Sequence, residues 1–226
     1  MSDRADLLKK ISLFSQLDGG ALATLAGHLR QRRFRKGTIV FHKDQPGDAL
    51  YLVEAGHVRI FLPTAGGEEL TVDVAGPGDV FGELALLDGR PRSASAETLE
   101  DCVLQVLSRD EFQTYLAATP RFAASLIELL STRLRQITEY AESLAFLDIH
   151  GRVARALLQL ADRHGVENNG VEIDFDLTQA ELASMVGATR ERVNRALASF
   201  RSQGLIEMRG KKIALLDAAR LRQRVY

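Results

Sequence analysis

RFAASLIELLSTRLRQITEYAESLAFL, residues 121–147, is the stretch on which the reading of the fold turns. Ile127, Leu130, Leu134, Ile137, Ala141 and Leu144 are spaced alternately three and four residues apart. That sets all six on one stripe of an α-helix with the rhythm of a coiled-coil seam. Pro120 suits a first helical turn, where no N–H is needed. Neither Pro nor Gly occurs from Arg121 to Ile149, so the spacing predicts a helix of about 27 residues, roughly 40 Å at 1.5 Å rise per residue. The stripe fits a helix lying on its own domain, and it fits a two-fold axis between two copies of the chain. Position favours the dimer axis. A glycine-punctuated β-rich segment precedes the helix and a compact helical segment with a basic end follows it, so a shared helix could carry a signal between them.

With 226 residues the chain has room for one or two domains, each able to bury a core. No run of about 18 apolar residues occurs, and MSDRADLLKK at the N-terminus carries charges where a signal peptide needs an apolar stretch. A soluble, cytoplasmic protein with no membrane partner is expected. A single cysteine, Cys102, excludes an internal disulfide and most zinc or iron–sulfur sites, and its place in an apolar run suggests a small buried hydrophobe. Charge is unevenly spread. Residues 1–147 hold 16 Lys+Arg against 20 Asp+Glu and residues 148–226 hold 13 against 10, while within 190–224 ten bases face three acids. Such asymmetry suggests a nucleic-acid partner for the C-terminal part, although a solvated basic face would look the same.

Taken in order, Asp6–Arg30 has an amphipathic pattern broken at Asp18-Gly19-Gly20, which predicts two short helices. From Gly37 glycines recur about every ten residues. Between them lie candidate strands at Thr38–Phe41, Leu50–Val53, Val58–Leu62 and Leu70–Val74, with a later one at Val103–Leu107. Short, regularly spaced strands imply a jelly roll or barrel. A capping-box spacing at Ser108-x-x-Glu111 then returns the chain to helix. Metal-dependent dioxygenases share the jelly roll but need two histidines one residue apart, and this sequence has none. Its five histidines, His28, His42, His57, His150 and His164, are scattered, and surface or helix-packing roles are expected for each. No nucleophile elbow, phosphate loop, zinc-protease or paired-carboxylate pattern stands out, so an enzyme is not expected.

The densest chemistry in the roll is Phe81-Gly82-Glu83-Leu84-Ala85 followed by Arg92-Ser93-Ala94. Gly82 permits close backbone approach, and a short helical turn over Glu83–Leu87 would aim free N–H groups at an anion. Arg92 offers a planar fork for phosphate oxygens and Ser93 a hydroxyl. Glu83 would repel a phosphate, so a sugar hydroxyl donating to it is its natural partner. Phosphate plus ribose describes a nucleotide. This stretch resembles the phosphate-binding cassette of cyclic-nucleotide-binding domains, most closely that of the bacterial cyclic AMP receptor protein family within the CRP/FNR superfamily, and the resemblance covers nearly the whole chain. It implies that Gly82, Glu83, Leu84 and Ala85 line the cyclic phosphate and ribose, with Glu83 on the 2′-hydroxyl and Arg92 and Ser93 on the phosphate. It also implies that the base is held from the dimer helix at Ile137 and Thr138. Thr138 can hydrogen-bond a base edge and Ile137 cannot, so the identity of the base is open. The superfamily's haem or redox sensing is disfavoured, because the N-terminal cysteine cluster is absent.

Further along, Asp148 suits the cap of a helix over Gly151–Ala161, and Thr178-Gln179-Ala180-Glu181 is a capping-box pattern. Gly187 follows where a tight turn needs positive φ, and Thr189 can cap a second helix with Val193 and Leu197 inward. The bare pattern fits a helix-turn-helix or an ordinary helical hairpin. Arg190, Glu191, Asn194 and Arg195 share the outer face near the helix start, and arginine forks fit guanine while a carboxylate accepts from cytosine. Thr189-Arg190-Glu191-x-Val193-x-Arg195 is similar to the family's recognition helix, which reads TGTGA half-sites. On that likeness Arg190, Glu191 and Arg195 read bases, Asn194 adds a contact, and Thr178, Gln179 and Thr189 meet phosphates. Ile206–Leu215 reads as a hairpin, the wing of a winged helix, with Arg209-Gly210-Lys211-Lys212 at its tip, so Arg209 and Lys211 are candidate phosphate contacts.

The expectation is an α+β chain of three parts. A β-roll over residues 1–119 binds a cyclic nucleotide, a helix over 120–147 dimerises, and a winged helix-turn-helix over 148–226 binds double-stranded DNA. The resemblance implies a homodimeric transcription regulator with cyclic AMP as effector and RNA polymerase as a further partner. A regulator of the same fold answering to another effector, or to none, is the alternative.

Overall fold

The computed structural model describes residues 8–9, 11–14, 17–64 and 66–225. Asp6 and Leu7, the start of the expected first helix, lie outside these residues. The backbone divides into two compact units, Met1–Phe61 with Val74–Gln136, and Leu62–Asp73 with Ile137–Tyr226.

Among the described residues eight strands define the roll: β1 (Arg30–Phe34), β2 (Ile39–Phe41), β3 (Ala49–Ala55), β4 (Val58–Pro63), β5 (Glu69–Ala75), β6 (Val80–Phe81), β7 (Ser95–Thr98) and β8 (Cys102–Ser108). They form two four-stranded sheets, β1-β8-β3-β6 and β2-β7-β4-β5. Five of these strands fall where alternation and turn glycines predict them; β1, β6 and β7 are additions. β1 reads Arg-Gln-Arg-Arg-Phe, with four of its five residues exposed. Its pairing with β8 therefore supplies what its side chains do not. Gln31 adds a 3.0 Å hydrogen bond to Glu54.

Strand β3 is buried on both faces because its two side-chain rows enter different cores. Tyr51 and Val53 pack inside the roll with Phe81 and Leu104. Leu50 and Leu52 face a second cluster made with Leu22, Leu25, Phe112, Phe122 and Leu126. The helices that supply it begin at α1 (Gly19–His28), capped by Asp18, which accepts from the Ala21 N–H at 2.8 Å. The expected break at Asp18-Gly19-Gly20 is thus a helix start. After α2 (Leu84–Asp88), helix α3 (Arg109–Ala118) opens on the predicted Ser108/Glu111 capping box. Helix α4 (Pro120–Phe146) has 27 residues, as the absence of breakers predicts. Phe122 anchors it: its ring stacks on Phe14 at 5.8 Å and meets Phe112 edge-on at 5.6 Å.

Cys102 is buried, and burial pushes its thiol up to about 11, so it behaves as the small hydrophobe its apolar run suggests. His57 departs from expectation. It is buried in the roll, with Nδ1 2.6 Å from Glu100 Oε1.

In the second unit Asp148 caps α5 (Ile149–His164), accepting from Gly151 N–H at 2.8 Å. There follow β9 (Gly165–Glu167), β10 (Val171–Ile173), α6 (Gln179–Val186), α7 (Arg190–Ser202), β11 (Ile206–Arg209), β12 (Lys212–Leu215) and α8 (Ala218–Arg222). The strands pair in the order β11-β12-β10-β9. Val153, Leu157, Ile173, Leu182, Val193, Ile213 and Leu221 make the fully buried core of this winged helix-turn-helix. The β9–β10 hairpin was not expected, and Asn168-Asn169-Gly170, with positive φ at Asn169 and Gly170, is the turn signal that would find it. Strand β5 departs at one place from the apolar row Leu70, Val72, Val74 that its sequence offers: Thr71 is buried and Val72 exposed, while Val74 is buried. The cause is polar. Thr71 donates its N–H to Ser184 Oγ at 2.9 Å, and the two hydroxyls lie 2.7 Å apart.

Replacing Phe122 by Ala removes the ring that joins α4 to the helical cluster. A loss of about 3–5 kcal/mol is expected from an enclosed Phe, read as a lower urea midpoint. A loss below about 1 kcal/mol would mean the ring does not anchor the helix.

Candidate functional site

Gly82 follows β6 with φ 86°, a conformation that glycine adopts without strain. A Cβ there would stand 2.6 Å from Arg92 Nη1. Arg92 is only 2% exposed. Its Nη1 donates to Gly82 O at 2.7 Å, and its Nη2 donates to Ala49 O at 2.8 Å and reaches Asp48 Oδ1 at 3.4 Å. The guanidinium lies 4.2 Å above the Phe41 ring, a cation–π contact. Its backbone is tied as well, donating to Gln45 O at 2.8 Å and accepting from Asp44 N–H at 2.9 Å. Burial draws the Arg92 pKa below its ordinary value, opposed by the nearby Tyr51 and Asp48.

Glu83 is 1% exposed, and its Oε1 accepts from Arg133 of α4, which also donates to Val80 O. Two buried atoms keep unmet hydrogen-bonding capacity at this place: Glu83 Oε2, an acceptor, and Arg92 Nε, a donor. Buried polar atoms are nearly always paired, so such a combination points to a ligand. A partner with a hydroxyl for the carboxylate and an acceptor oxygen for the guanidinium would meet both, and a ribose phosphate carries that chemistry.

The fold therefore brings Gly82, Glu83, Ala85 and Arg92 together. Ala85 is buried, while Leu84 and Ser93 are exposed. Ile137 and Thr138 stand on exposed positions of α4 at and just beyond one turn past Arg133. Arg133 escaped the sequence reading, although a buried carboxylate needs a cation and the arginine lies four residues before Ile137 on the same helix. Removing it would strand Glu83, at about 3–5 kcal/mol for a broken buried pair.

On α4 the seam residues Ile127, Leu134, Ile137 and Leu144 are 65%, 65%, 60% and 41% exposed. Ala141 is exposed too, and Leu130 rests partly on the helical cluster. The apolar side chains of Ile127, Leu134, Ile137 and Leu144 are therefore not covered by the chain's own domains.

In the second unit Thr178 and Thr189 cap α6 and α7, and Gly187 takes the left-handed conformation at φ 58° between them. Gln179 begins α6 half-buried. Val193, Ala196, Leu197 and Phe200 point into the core. That registration leaves Arg190, Glu191, Asn194 and Arg195 exposed on the outer face, with Arg195 3.6 Å from Glu191. The wing corrects one expectation. Arg209 does not project from the tip: it donates to Glu207 at 2.7 Å, Asn168 O at 2.6 Å, Glu172 at 3.2 Å and Asn169 O at 3.2 Å. Those acceptors belong to the wing itself and to the unpredicted β9–β10 hairpin, so sequence alone had nothing to offer Arg209 but a phosphate. Its bond to Glu207 raises its pKa. Lys211 remains at the tip with its side chain 71% exposed, 3.8 Å from Asp176. Among the described residues no helix is long and apolar enough to cross a membrane, and no group of three His, Cys, Asp or Glu could hold a metal.

Comparison with known proteins gives a cyclic nucleotide-binding domain over residues 31–119 and a Crp-like helix-turn-helix domain over 151–224. A CRP-like cAMP-activated global transcriptional regulator of Mycobacterium tuberculosis is 37% identical over 97% of this chain and 98% of its own. The cyclic AMP receptor protein of Thermus thermophilus is 33% identical over 96% and 97%. Among solved structures, the c-di-GMP responsive global regulator CLP of Xanthomonas campestris superposes with a TM-score of 0.74 at 30% identity, covering 88% of this chain and 99% of that one. These relatives are regulators and not enzymes, and likeness at this level over both units at once makes the chain a member of the cyclic AMP receptor protein family of DNA-binding transcription regulators.

Proposed function

We propose that the chain works as a cytoplasmic homodimer that binds palindromic TGTGA-type half-sites and is switched by a cyclic nucleotide, cyclic AMP. In this reading residues 1–119 form the effector domain, 120–147 the dimerisation helix and 148–226 the DNA-binding domain, and RNA polymerase is a further partner. The observation that carries the effector site is the pair of buried, unpartnered atoms, Glu83 Oε2 and Arg92 Nε. A ribose hydroxyl donates to the first and a cyclic phosphate oxygen accepts from the second. Gly82, Leu84 and Ala85 line the phosphate and ribose, Ser93 adds a donor, and Ile137 and Thr138 meet the base. Ile127, Leu130, Leu134, Ile137, Ala141 and Leu144 form the seam between the two copies.

At the DNA, Arg190, Glu191 and Arg195 read base edges with Asn194 beside them, while Thr178, Gln179, Thr189 and Lys211 contact phosphates. Arg209 acts one step back, holding the wing. Two-fold symmetry places the half-sites about one helical turn apart. A second reading keeps the regulator and changes the effector. Ile137 offers no hydrogen bond to a base, and the Xanthomonas campestris relative is a c-di-GMP responsive regulator.

Fluorescence anisotropy of a labelled TGTGA palindrome at fixed near-physiological salt separates these readings. Cyclic AMP should raise affinity tenfold or more, about 1.4 kcal/mol of coupling, and Arg92→Ala should remove that gain while leaving the dimer intact. Equal tight binding with and without nucleotide would reject cyclic AMP as the switch. Arg190→Ala should weaken the best site by about 1–3 kcal/mol and relax preference at one base pair; an equal loss on random DNA would make it a phosphate contact instead. Leu134→Lys puts a charge on the seam, and sedimentation should then report a dissociating dimer. A variant that stays dimeric at micromolar concentration would place the interface elsewhere.

A further inference from the structure

Arg109, the first residue of α3, reaches the cassette from outside the motif. Its Nε and Nη2 donate to Gly47 O at 3.1 and 2.5 Å, and Nη2 also donates to Ala85 O at 3.0 Å. Its own N–H donates to Asp48 O at 2.8 Å. One guanidinium therefore holds two chain segments that are 38 residues apart in sequence, the Asp44–Ala49 loop and the helix that opens with Glu83.

These segments are the two sides of the Arg92 cradle. The loop supplies Ala49 O and Asp48 to the Arg92 fork, and Gln45 O and Asp44 N–H to its backbone. The other side supplies Gly82 O. Gly47 lies between them so closely that a Cβ would overlap that of Ala85 and stand 3.3 Å from Arg92 Cζ and Nε. Moving the Gly47 carbonyl thus moves the wall against which the Arg92 fork is set. The Ser108/Glu111 capping box fixes where α3 starts, and with it the base of the Arg109 side chain. Arg109 also places a second positive charge near Arg92, which adds a smaller lowering to the one that burial imposes on its pKa. Asp48, whose carboxylate lies 3.4 Å from the Arg92 fork, opposes that effect.

We propose that Arg109 is a positioning residue for the effector phosphate: by gripping Gly47 O and Ala85 O in one fork it sets the place and orientation of the Arg92 guanidinium. This inference rests on the reading of the cassette as the cyclic-nucleotide site. A lysine cannot replace the fork, because a single ammonium has no fixed planar geometry with which to span both carbonyls. It does keep the charge. Arg109→Lys therefore isolates position from electrostatics.

The test is a double-mutant cycle on the full chain, with cyclic AMP affinity measured by calorimetry at fixed salt for the parent, Arg109→Lys, Arg92→Lys and the double variant. Arg109→Lys alone should weaken cyclic AMP by tenfold or more. Added to Arg92→Lys it should change affinity by less than twofold, since the fork it positions is already gone. Thermal midpoints without ligand identify any general loss of stability, and Arg109→Gln serves as the second variant should the lysine not fold. Unchanged affinity in Arg109→Lys, or the same loss in both backgrounds, would reduce Arg109 to a brace and overturn the proposal. A parent that takes up neither cyclic AMP, cyclic GMP nor c-di-GMP at millimolar concentration would instead overturn the site reading, and this inference with it.

Discussion

An enclosed guanidinium, that of Arg92, imposes the strictest condition on the roll. A charge so nearly sealed from water is tolerable only if its N–H groups meet acceptors. The chain satisfies this with the carbonyls of Gly82 and Ala49 and the face of Phe41. Each of these comes from a different strand or loop, so the β2–β3 loop, the turn after β6 and the segment leading to β7 must all converge on one side chain. The glycines at 47 and 82 follow from that convergence: a methyl group at either would press on the guanidinium. What remains unmet is one donor on Arg92 and one acceptor on Glu83.

Helix α4 answers to several demands along its length. Phe122 and Leu126 sink into the helical cluster, Arg133 pairs with Glu83, and Ile127, Leu134, Ile137 and Leu144 face outward. Near its C-terminal end it belongs to the DNA-reading unit. Arg155 of α5 donates to Glu139 O at 2.8 Å and reaches Glu142 at 3.2 Å. Leu144 and the Tyr140 hydroxyl lie 3.4 and 3.8 Å from where a Gly187 Cβ would stand, over the turn between α6 and α7. Arg152 grips the same turn through Val186 O at 2.9 Å. One continuous helix thus contacts the carboxylate of the cassette and the turn that aims the recognition helix.

Much of this was legible in the chain because its signals are local. The seam spacing, the caps at Ser108, Asp148, Thr178 and Thr189, and the left-handed Gly187 each depend on residues within a turn or two of one another. The cassette motif was legible for the same reason, since Gly82, Glu83 and Ala85 are adjacent and Arg92 follows ten residues after Gly82. What escaped was nonlocal. Strand β1 has three arginines and no apolar alternation, and only its pairing with β8 makes it a strand. Arg109 and Arg133 lie far from the motif in sequence and reach it through carbonyls and a carboxylate that folding delivers.

The sequence by itself determined the length of α4, the strand texture of the roll, the helix-turn-helix and the identity of the residues with chemistry to offer, because periodicity, capping and turn conformation are set by near neighbours. Only the tertiary structure decided which of those groups are already engaged. It turned Arg209 inward onto the β9–β10 hairpin, buried Thr71 against Ser184, gave Glu83 an arginine and left one atom each of Glu83 and Arg92 without a partner. The reason is that hydrogen bonding is satisfied in space. A guanidinium written beside a glycine turn is the same four letters whether it meets a phosphate or the carbonyl of a strand many residues away.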